Sequence, residues 1–165
     1  MYYYLYLVIF LILLYTSLYY IFIDEISIYQ LSVEHFDFDI LYKKQPIVIT
    51  ESIKDVDDLI SKWFNYNIIY QNNNPQKLWE RNKFKYCMIY SNGKNEDFCE
   101  INLCNPLSLQ SNGCPDENSK ITTIKLQTNK VLIIPFKWYY NISGSPKIIG
   151  IHDYITYCID MLSYK

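Results

Sequence analysis

The chain of 165 residues has no alanine, only four glycines and a single arginine, Arg81. So few glycines leave little backbone suited to close approach of a phosphate, and no glycine-rich phosphate-binding motif is present. The formal net charge is −2 and the lysines are scattered, whereas proteins that bind the nucleic-acid backbone cluster Lys and Arg. We therefore predict a protein that does not bind nucleic acid.

Charge, proline and glycine are missing from the first 23 residues, MYYYLYLVIFLILLYTSLYYIFI. A helix of that length spans roughly 34 Å, against about 30 Å for the hydrocarbon core of a bilayer. Tyrosines lie near both ends, at positions 2–4 and 19–20, where membrane helices carry interfacial aromatic residues. The segment predicts a single transmembrane anchor over residues 1–23, with the lipid bilayer as its partner.

A cleaved signal peptide and a buried core helix are the alternatives for this segment. A signal peptide has a basic start, a shorter apolar run and small residues at its cleavage site, and this segment departs from that pattern. Lys43 and Lys44 lie about 20 residues beyond the span and slightly favour a C-terminal domain on the cytosolic side.

The five cysteines, at positions 87, 99, 104, 114 and 158, match no usual zinc-binding spacing. Because their number is odd, at least one cannot pair within the chain. We interpret them mainly as thiols in a reducing compartment, while a disulfide within residues 99–114 stays open.

After a tether over residues 24–44, the domain predicted over residues 45–165 has one amphipathic helix and many short strands. QPIVIT (45–50) is a β-branched strand. In ESIKDVDDLISKWFN the apolar residues recur at helical spacing, and Ser52 with Asp55 resembles a capping box.

KLWERN is interpreted as a helical turn and residues 104–120 as a polar loop. Further strands are predicted at 67–70, 83–91, 98–103, 121–127, 130–136, 137–143 and 147–160. This pattern favours a mainly-β (α+β) domain, an antiparallel sandwich or barrel with one N-terminal helix.

The order of these elements resembles the cupin-like domain of the JmjC class, a double-stranded β-helix of the jelly-roll type. Its most specific parts are the opening strand Gln45–Ile49 and the late hairpin Val131–Trp138, and the resemblance covers roughly residues 40–160. The composition, size and membrane segment also resemble membrane-anchored structural proteins of large DNA viruses. The resemblance implies a virion component, such as a minor capsid protein, in the virion inner membrane or a host intracellular membrane. Its domain would face the cytosol or the capsid, with other structural proteins as partners.

Enzymes of the JmjC class hold Fe(II) with two histidines and a carboxylate. The resemblance places the first histidine and the carboxylate within or just after Lys85–Tyr90, and the second histidine at Tyr140 or Asn141. No histidine stands at either place. Lys83 or Lys85 corresponds to the lysine that holds 2-oxoglutarate in such enzymes, and we interpret it as a solvated strand position.

His35-Phe36-Asp37 together with His152 supplies an alternative ligand set. These are the only histidines of the chain, and joining them around one ion requires the tether to fold over the barrel mouth. We instead interpret His35 as a surface residue and His152 as half-buried with a hydrogen-bonded ring.

We therefore predict no metal, cofactor or catalytic residue, and a docking function for the domain. Trp138, Tyr139 and Tyr140 are the candidate interaction residues, because exposed Tyr and Trp side chains commonly anchor protein interfaces. The alternatives are an Fe(II)/2-oxoglutarate-dependent hydroxylase with atypical ligands and a cupin that binds sugars or lipid headgroups.

Overall fold

The computed structural model describes residues 2–18, 26–72, 78–92, 98–107, 110–111, 114–115 and 119–163. The helices in these ranges are α1 (Tyr2–Leu18), α2 (Phe38–Leu41), α3 (Val56–Trp63) and α4 (Tyr154–Ser163). The strands are β1 (Tyr29–Leu31), β2 (Ile47–Ile49), β3 (Ile68–Asn72), β4 (Glu80–Arg81), β5 (Tyr86–Tyr90), β6 (Phe98–Cys104), β7 (Gln110–Ser111), β8 (Cys114–Pro115), β9 (Ile121–Gln127), β10 (Val131–Pro135), β11 (Tyr139–Ser143) and β12 (Lys147–His152).

The strands form two main sheets and a separate β7–β8 pair. Sheet A has the order β1-β2-β10-β5-β12-β3, and sheet B has the order β4-β11-β6-β9. All pairs are antiparallel except β1 with β2, which is parallel. The prediction of a mainly-β, mixed α+β domain is confirmed.

The central strands of sheet A are buried on both faces. In β10, Val131 and Ile133 belong to a core shared with α3, whereas Leu132 and Ile134 belong to a core shared with sheet B. Because successive strand residues point to opposite faces, one strand supplies both cores. Such strands are therefore almost continuously apolar, as VLIIP is. Helices α2 and α3, sheet A and sheet B thus form three layers.

Helix α3 confirms the amphipathic helix that the sequence predicts. Its buried residues Val56, Leu59 and Ile60 pack on sheet A. The N-cap is Asp55 rather than Ser52, because the Asp55 side chain accepts hydrogen bonds from the backbone N–H groups of residues 57 and 58 at 2.9 and 3.2 Å.

The last segment differs from its prediction as one strand over residues 147–160. Strand β12 ends at His152, and α4 follows it. Asp153 and Thr156 cap this helix reciprocally: Asp153 Oδ1 accepts from the Thr156 N–H at 2.7 Å, and the Thr156 hydroxyl accepts from the Asp153 N–H at 3.0 Å. The Asp-x-x-Thr pattern is the local signal that marks this start.

The KLWERN segment also differs from its prediction as a helical turn. Glu80–Arg81 is the edge strand β4, which pairs with β11. The buried side chain of Asn82 then donates hydrogen bonds to the Ile134 and Pro135 carbonyls at 3.0 and 2.8 Å. These bonds hold the β4 end against the β10–β11 turn.

The first 44 residues contain both an exposed helix and packed structure. Of the predicted anchor at 1–23, α1 covers Tyr2–Leu18, and positions 1 and 19–23 lie outside the described residues. Within the described part of the chain, no helix meets both the length and the apolarity needed to cross a membrane. Residues 26–44, expected as a tether, contribute β1 and α2 to the fold.

The cysteines that the structure describes are reduced. Cys87, Cys104 and Cys158 are free thiols, and the Cys99 thiol donates a hydrogen bond to the Ser143 carbonyl at 3.0 Å. The predicted thiol state is confirmed for these four, and the Cys114 side chain lies outside the described atoms.

Gly150 provides a test of the close packing along β12. A Cβ atom there would lie 2.5–2.6 Å from three ring atoms of Phe84. We expect Gly150→Ala to lower the free energy of unfolding by about 1–3 kcal/mol, because overpacking forces side chains or backbone to shift. Urea denaturation of the detergent-solubilised chain measures the loss. In a Phe84→Ala background the side-chain atoms beyond Cβ are gone, so Gly150→Ala should lower the free energy of unfolding much less. An equal cost in both backgrounds would disprove the contact.

Candidate functional site

Tyr140, at the predicted position of the second histidine, lies between the two sheets. Its side chain is 5% exposed and belongs to the core shared by sheets A and B. In the antiparallel register it stands opposite Glu80 of β4, and its hydroxyl donates a hydrogen bond to Glu80 Oε2 at 3.0 Å. A phenol and a carboxylate therefore meet where the resemblance expects metal ligands.

Cys87 of β5 completes this interior cluster. Its thiol is fully buried and hydrogen-bonds with the Tyr140 hydroxyl. Burial raises the pKa of Cys87 to about 12. Burial, followed by the neighbouring Cys87 and Glu80, also raises the pKa of Tyr140 far above its ordinary value. Both groups are therefore protonated at neutral pH, and the thiol is not a nucleophile there.

This donor set does not fit Fe(II). The iron centre of the JmjC class uses two neutral imidazoles with one carboxylate, whereas Glu80 is accompanied here by a protonated phenol and a protonated thiol. Among the residues that the structure describes, no group of three His, Cys, Asp or Glu side chains is arranged to hold a metal ion.

The two histidines lie in different environments. His35 is exposed, with Nδ1 2.6 Å from the Ser32 hydroxyl, and Asp37 caps α2. His152 is buried rather than half-buried: its side chain is 1% exposed. The His152 ring packs against Phe84, with 5.1 Å between the ring centroids. The ring therefore belongs to the packing around β12.

The three candidate interaction residues are interior. The exposed fractions of Trp138, Tyr139 and Tyr140 are 1%, 3% and 5%. Trp138 Nε1 donates to the Lys44 carbonyl at 3.0 Å, and the Arg81 guanidinium lies 5.3 Å from the Tyr139 ring centroid. Their contact with a partner stays a prediction, and the large exposed apolar surface of the described chain lies on α1.

A polar cluster that the sequence analysis missed joins α1 to the domain. Asp153 Oδ2 accepts from Lys85 Nζ at 2.7 Å and from the Tyr15 hydroxyl of α1. The Lys85 and Asp153 side chains are 19% and 21% exposed, so the interpretation of Lys85 as a solvated position is wrong. Lys83 is exposed, as expected.

The ion pair changes the pKa values of both partners. Burial alone would raise the pKa of Asp153, but hydrogen bonds from Lys85, the Thr156 N–H and Tyr15 outweigh it, and the pKa falls well below its ordinary value. Burial alone would lower the pKa of Lys85, but Asp153 raises it overall. Both groups are therefore charged across the physiological pH range.

A small pocket lies beside this cluster. It has a volume of about 90 Å³ and separates the last turn of α1 from the domain. Its largely apolar wall includes Tyr15, Leu18, Leu41, Lys44, Tyr86 and Phe136. Lys44 also donates from Nζ to the Leu18 carbonyl at the end of α1, where a cation is favourable to the helix dipole.

Asp153→Asn tests the junction between α1 and the domain. We expect the free energy of unfolding to fall by about 1–3 kcal/mol near neutral pH, because Lys85 loses a charged hydrogen-bond partner. The folded-state pKa lies below the ordinary 3.8, so ionised Asp153 stabilises the fold above that pH, and the stabilisation disappears as the pH falls below it. Denaturant titrations at neutral and acidic pH should show the difference shrinking towards acid.

Asp58→Asn is the matched control for this substitution. Asp58 pairs with Lys62 on α3, but both side chains are more than half exposed. Such a pair contributes about 0.3–0.5 kcal/mol. A loss for Asp153→Asn no larger than this control would show that the Lys85–Asp153 pair stabilises the fold no more than an exposed ion pair does.

A scan against family models finds no match to this chain, and a search of curated proteins finds none either. The resemblance to the JmjC class therefore rests on the sequence segments quoted above and remains a prediction.

Proposed function

We propose that the protein is a non-enzymatic, single-pass membrane protein whose double-stranded β-helix domain docks onto neighbouring structural proteins. The setting that fits this role is a virus particle in which a membrane lies close to a capsid. The observation that carries the proposal is the exposed, uncharged surface of α1.

Helix α1 exposes apolar side chains on every side. The residues from Tyr3 to Leu14 are 44–88% exposed, and twelve consecutive residues cover more than three helical turns. A helix that is apolar on one stripe fits a groove, whereas a helix that is apolar all round is buried in a large core or in a bilayer. The two cores of the domain are already closed by α3 and the sheets. The bilayer is therefore the environment that we assign to α1.

The polar groups of α1 are compatible with lipid. The hydroxyls of Thr16 and Ser17 donate to the Leu13 and Leu14 carbonyls at 2.9 and 2.8 Å. A polar group in hydrocarbon must be satisfied internally, and these two hydroxyls meet that condition without any partner outside the helix.

The strand order supports the double-stranded β-helix. Four strands of sheet A follow the order β3-β12-β5-β10, and sheet B follows the order β4-β11-β6-β9. Strands from β3 to β6 alternate between the sheets, and so do strands from β9 to β12. In a double-stranded β-helix the chain alternates between two facing antiparallel sheets in this way.

The filled interior supports a scaffold rather than an enzyme. Tyr140, Glu80 and Cys87 bond with one another where the resemblance expects an iron centre. The proposed function therefore uses the outer surface of the domain. A membrane helix that holds the domain beside its partners makes docking nearly intramolecular and so strengthens it without new contacts.

Leu11→Lys tests the membrane role of α1. We expect the partition coefficient of the chain onto vesicles to fall by about 100-fold, because a lysine near the centre of a membrane helix costs about 2.5–3.5 kcal/mol. Flotation of the full chain with phosphatidylcholine vesicles measures the bound fraction. Tyr66→Lys adds the same charge at a position on the domain that is 86% exposed and should float like the wild type. Equal flotation of the Leu11→Lys protein would refute the anchor.

Iron content tests the non-enzymatic role. We expect the full chain, incubated with Fe(II) under anaerobic conditions and desalted, to retain far less than one iron per chain, because the Cys87 thiol and the Tyr140 phenol of the interior cluster are protonated. His35→Ala should leave this result unchanged. Stoichiometric iron that is lost in Glu80→Gln, together with succinate formation from 2-oxoglutarate, would establish the hydroxylase alternative.

A further inference from the structure

Three tyrosines of the domain present most of their rings to solvent. Tyr42, Tyr66 and Tyr154 are each more than 70% exposed, whereas Tyr90 and Tyr140 of the sheets are buried in the two cores. Single exposed apolar side chains are common on protein surfaces, but a group of them at one place marks an interaction surface. The positions of the three tyrosines therefore decide whether they have a role.

Tyr42 and Tyr154 lie where α1 joins the domain. Tyr42 lines the junction pocket together with Tyr15 and Leu18 of α1. Tyr154 directly follows Asp153, whose carboxylate accepts a hydrogen bond from the Tyr15 hydroxyl. Both exposed rings are therefore carried by backbone that adjoins the last turn of α1.

Tyr66 lies at the same end of sheet A. It precedes Asn67, whose side-chain amide donates to the His152 carbonyl at 3.1 Å. His152 is the last residue of β12 and directly precedes Asp153. The end of β12 thus connects Tyr66 to the junction, and all three tyrosines occupy one end of the domain, which we call the tyrosine end.

The last turn of α1 sets the depth of the tyrosine end in a bilayer. Tyr15 and Leu18 are separated by about 4.5 Å along the helix axis, so their contacts with the domain lie in one thin layer. If α1 spans the hydrocarbon, its last turn lies at the boundary with the headgroups. Tyrosine is favoured at that boundary, because its ring is apolar and its hydroxyl is polar.

We propose that the tyrosine end is a second membrane contact of the domain, at which the rings of Tyr42, Tyr66 and Tyr154 insert among the lipid headgroups. The proposal rests on the membrane anchoring proposed above. Helix α1 places the chain in the bilayer, and the tyrosine end sets the orientation of the domain on it. Single substitutions within the tyrosine end therefore leave flotation unchanged.

The junction favours lipid over a protein as the partner of the tyrosine end. Tyr15 bonds to Asp153, and Lys44 bonds to the Leu18 carbonyl, so this end of the domain is held against α1. A protein partner would have to enter between the domain and the bilayer, whereas headgroups are already there.

Site-specific photocrosslinking tests this contact. The photoreactive analogue p-benzoylphenylalanine replaces Tyr42, Tyr66 or Tyr154, one position at a time, in the full chain reconstituted in phosphatidylcholine vesicles. Because each side chain is largely exposed, the larger ring leaves the cores undisturbed. We expect irradiation to produce lipid adducts at all three positions, measured by mass spectrometry of the peptides.

Phe98 is the matched control, because it is an exposed aromatic residue at the opposite end of β6. Cys104 ends β6 and pairs with Tyr139, three residues beyond Phe136 of the pocket. Phe98 begins β6, about 20 Å away along the strand. The analogue at Phe98 should give no lipid adduct above the background without irradiation. In a Leu11→Lys background, adducts at the three tyrosine positions should fall together with flotation.

The outcomes separate the membrane contact from the anchor. Wild-type protein that floats, while the three positions give no lipid adducts or crosslink to a second copy of the chain instead, would overturn the contact and leave the anchor standing. Lipid adducts at Phe98 as abundant as those at the tyrosine positions would also overturn the contact. Wild-type protein that does not float would overturn both proposals.

Discussion

The fold depends on the burial of sheet A on both faces. Strands β10, β5 and β12 lie at its centre, and each supplies alternate side chains to two cores. Such strands cannot shift by one residue, because every side chain would then move to the opposite core. Sheet B must therefore stay in place over one face and α3 over the other. The same constraint fixes Tyr140 between the sheets. A buried hydroxyl there must be hydrogen-bonded, and Glu80 accepts its hydrogen bond.

Asp153 performs three roles that would otherwise need separate residues. It caps α4 through Thr156, balances Lys85 and accepts from Tyr15 of α1. A half-buried carboxylate is costly unless its lone pairs are satisfied, and these contacts satisfy it. Replacing Asp153 therefore affects the end of β12, the start of α4 and the position of α1 together. This coupling explains why we expect a larger effect there than at the exposed Asp58–Lys62 pair.

Sequence periodicity predicts those elements whose signal is local. Helix α3 repeats its apolar residues every three or four positions, and β10 is a continuous apolar run bounded by turns, so both are found from the sequence. Helix α4 is missed because GIHDYITY is apolar enough to continue a strand, and only Asp153 with Thr156 marks the change. Strand β4 has only two residues, which are too few to show the alternating apolar pattern of a strand. The Lys85–Asp153 and Tyr140–Glu80 contacts join residues 68 and 60 positions apart, and no local pattern encodes such pairs.

The junction also determines how the domain is oriented relative to α1, the anchor proposed above. A helix joined by a flexible linker raises the concentration of its domain near the membrane but leaves its orientation free. Here Tyr15 bonds to Asp153 and Lys44 bonds to the end of α1, so the domain is held in one orientation relative to the helix. Fixed orientation lowers the entropy lost when a partner binds. The docking role proposed above would gain affinity from that restriction.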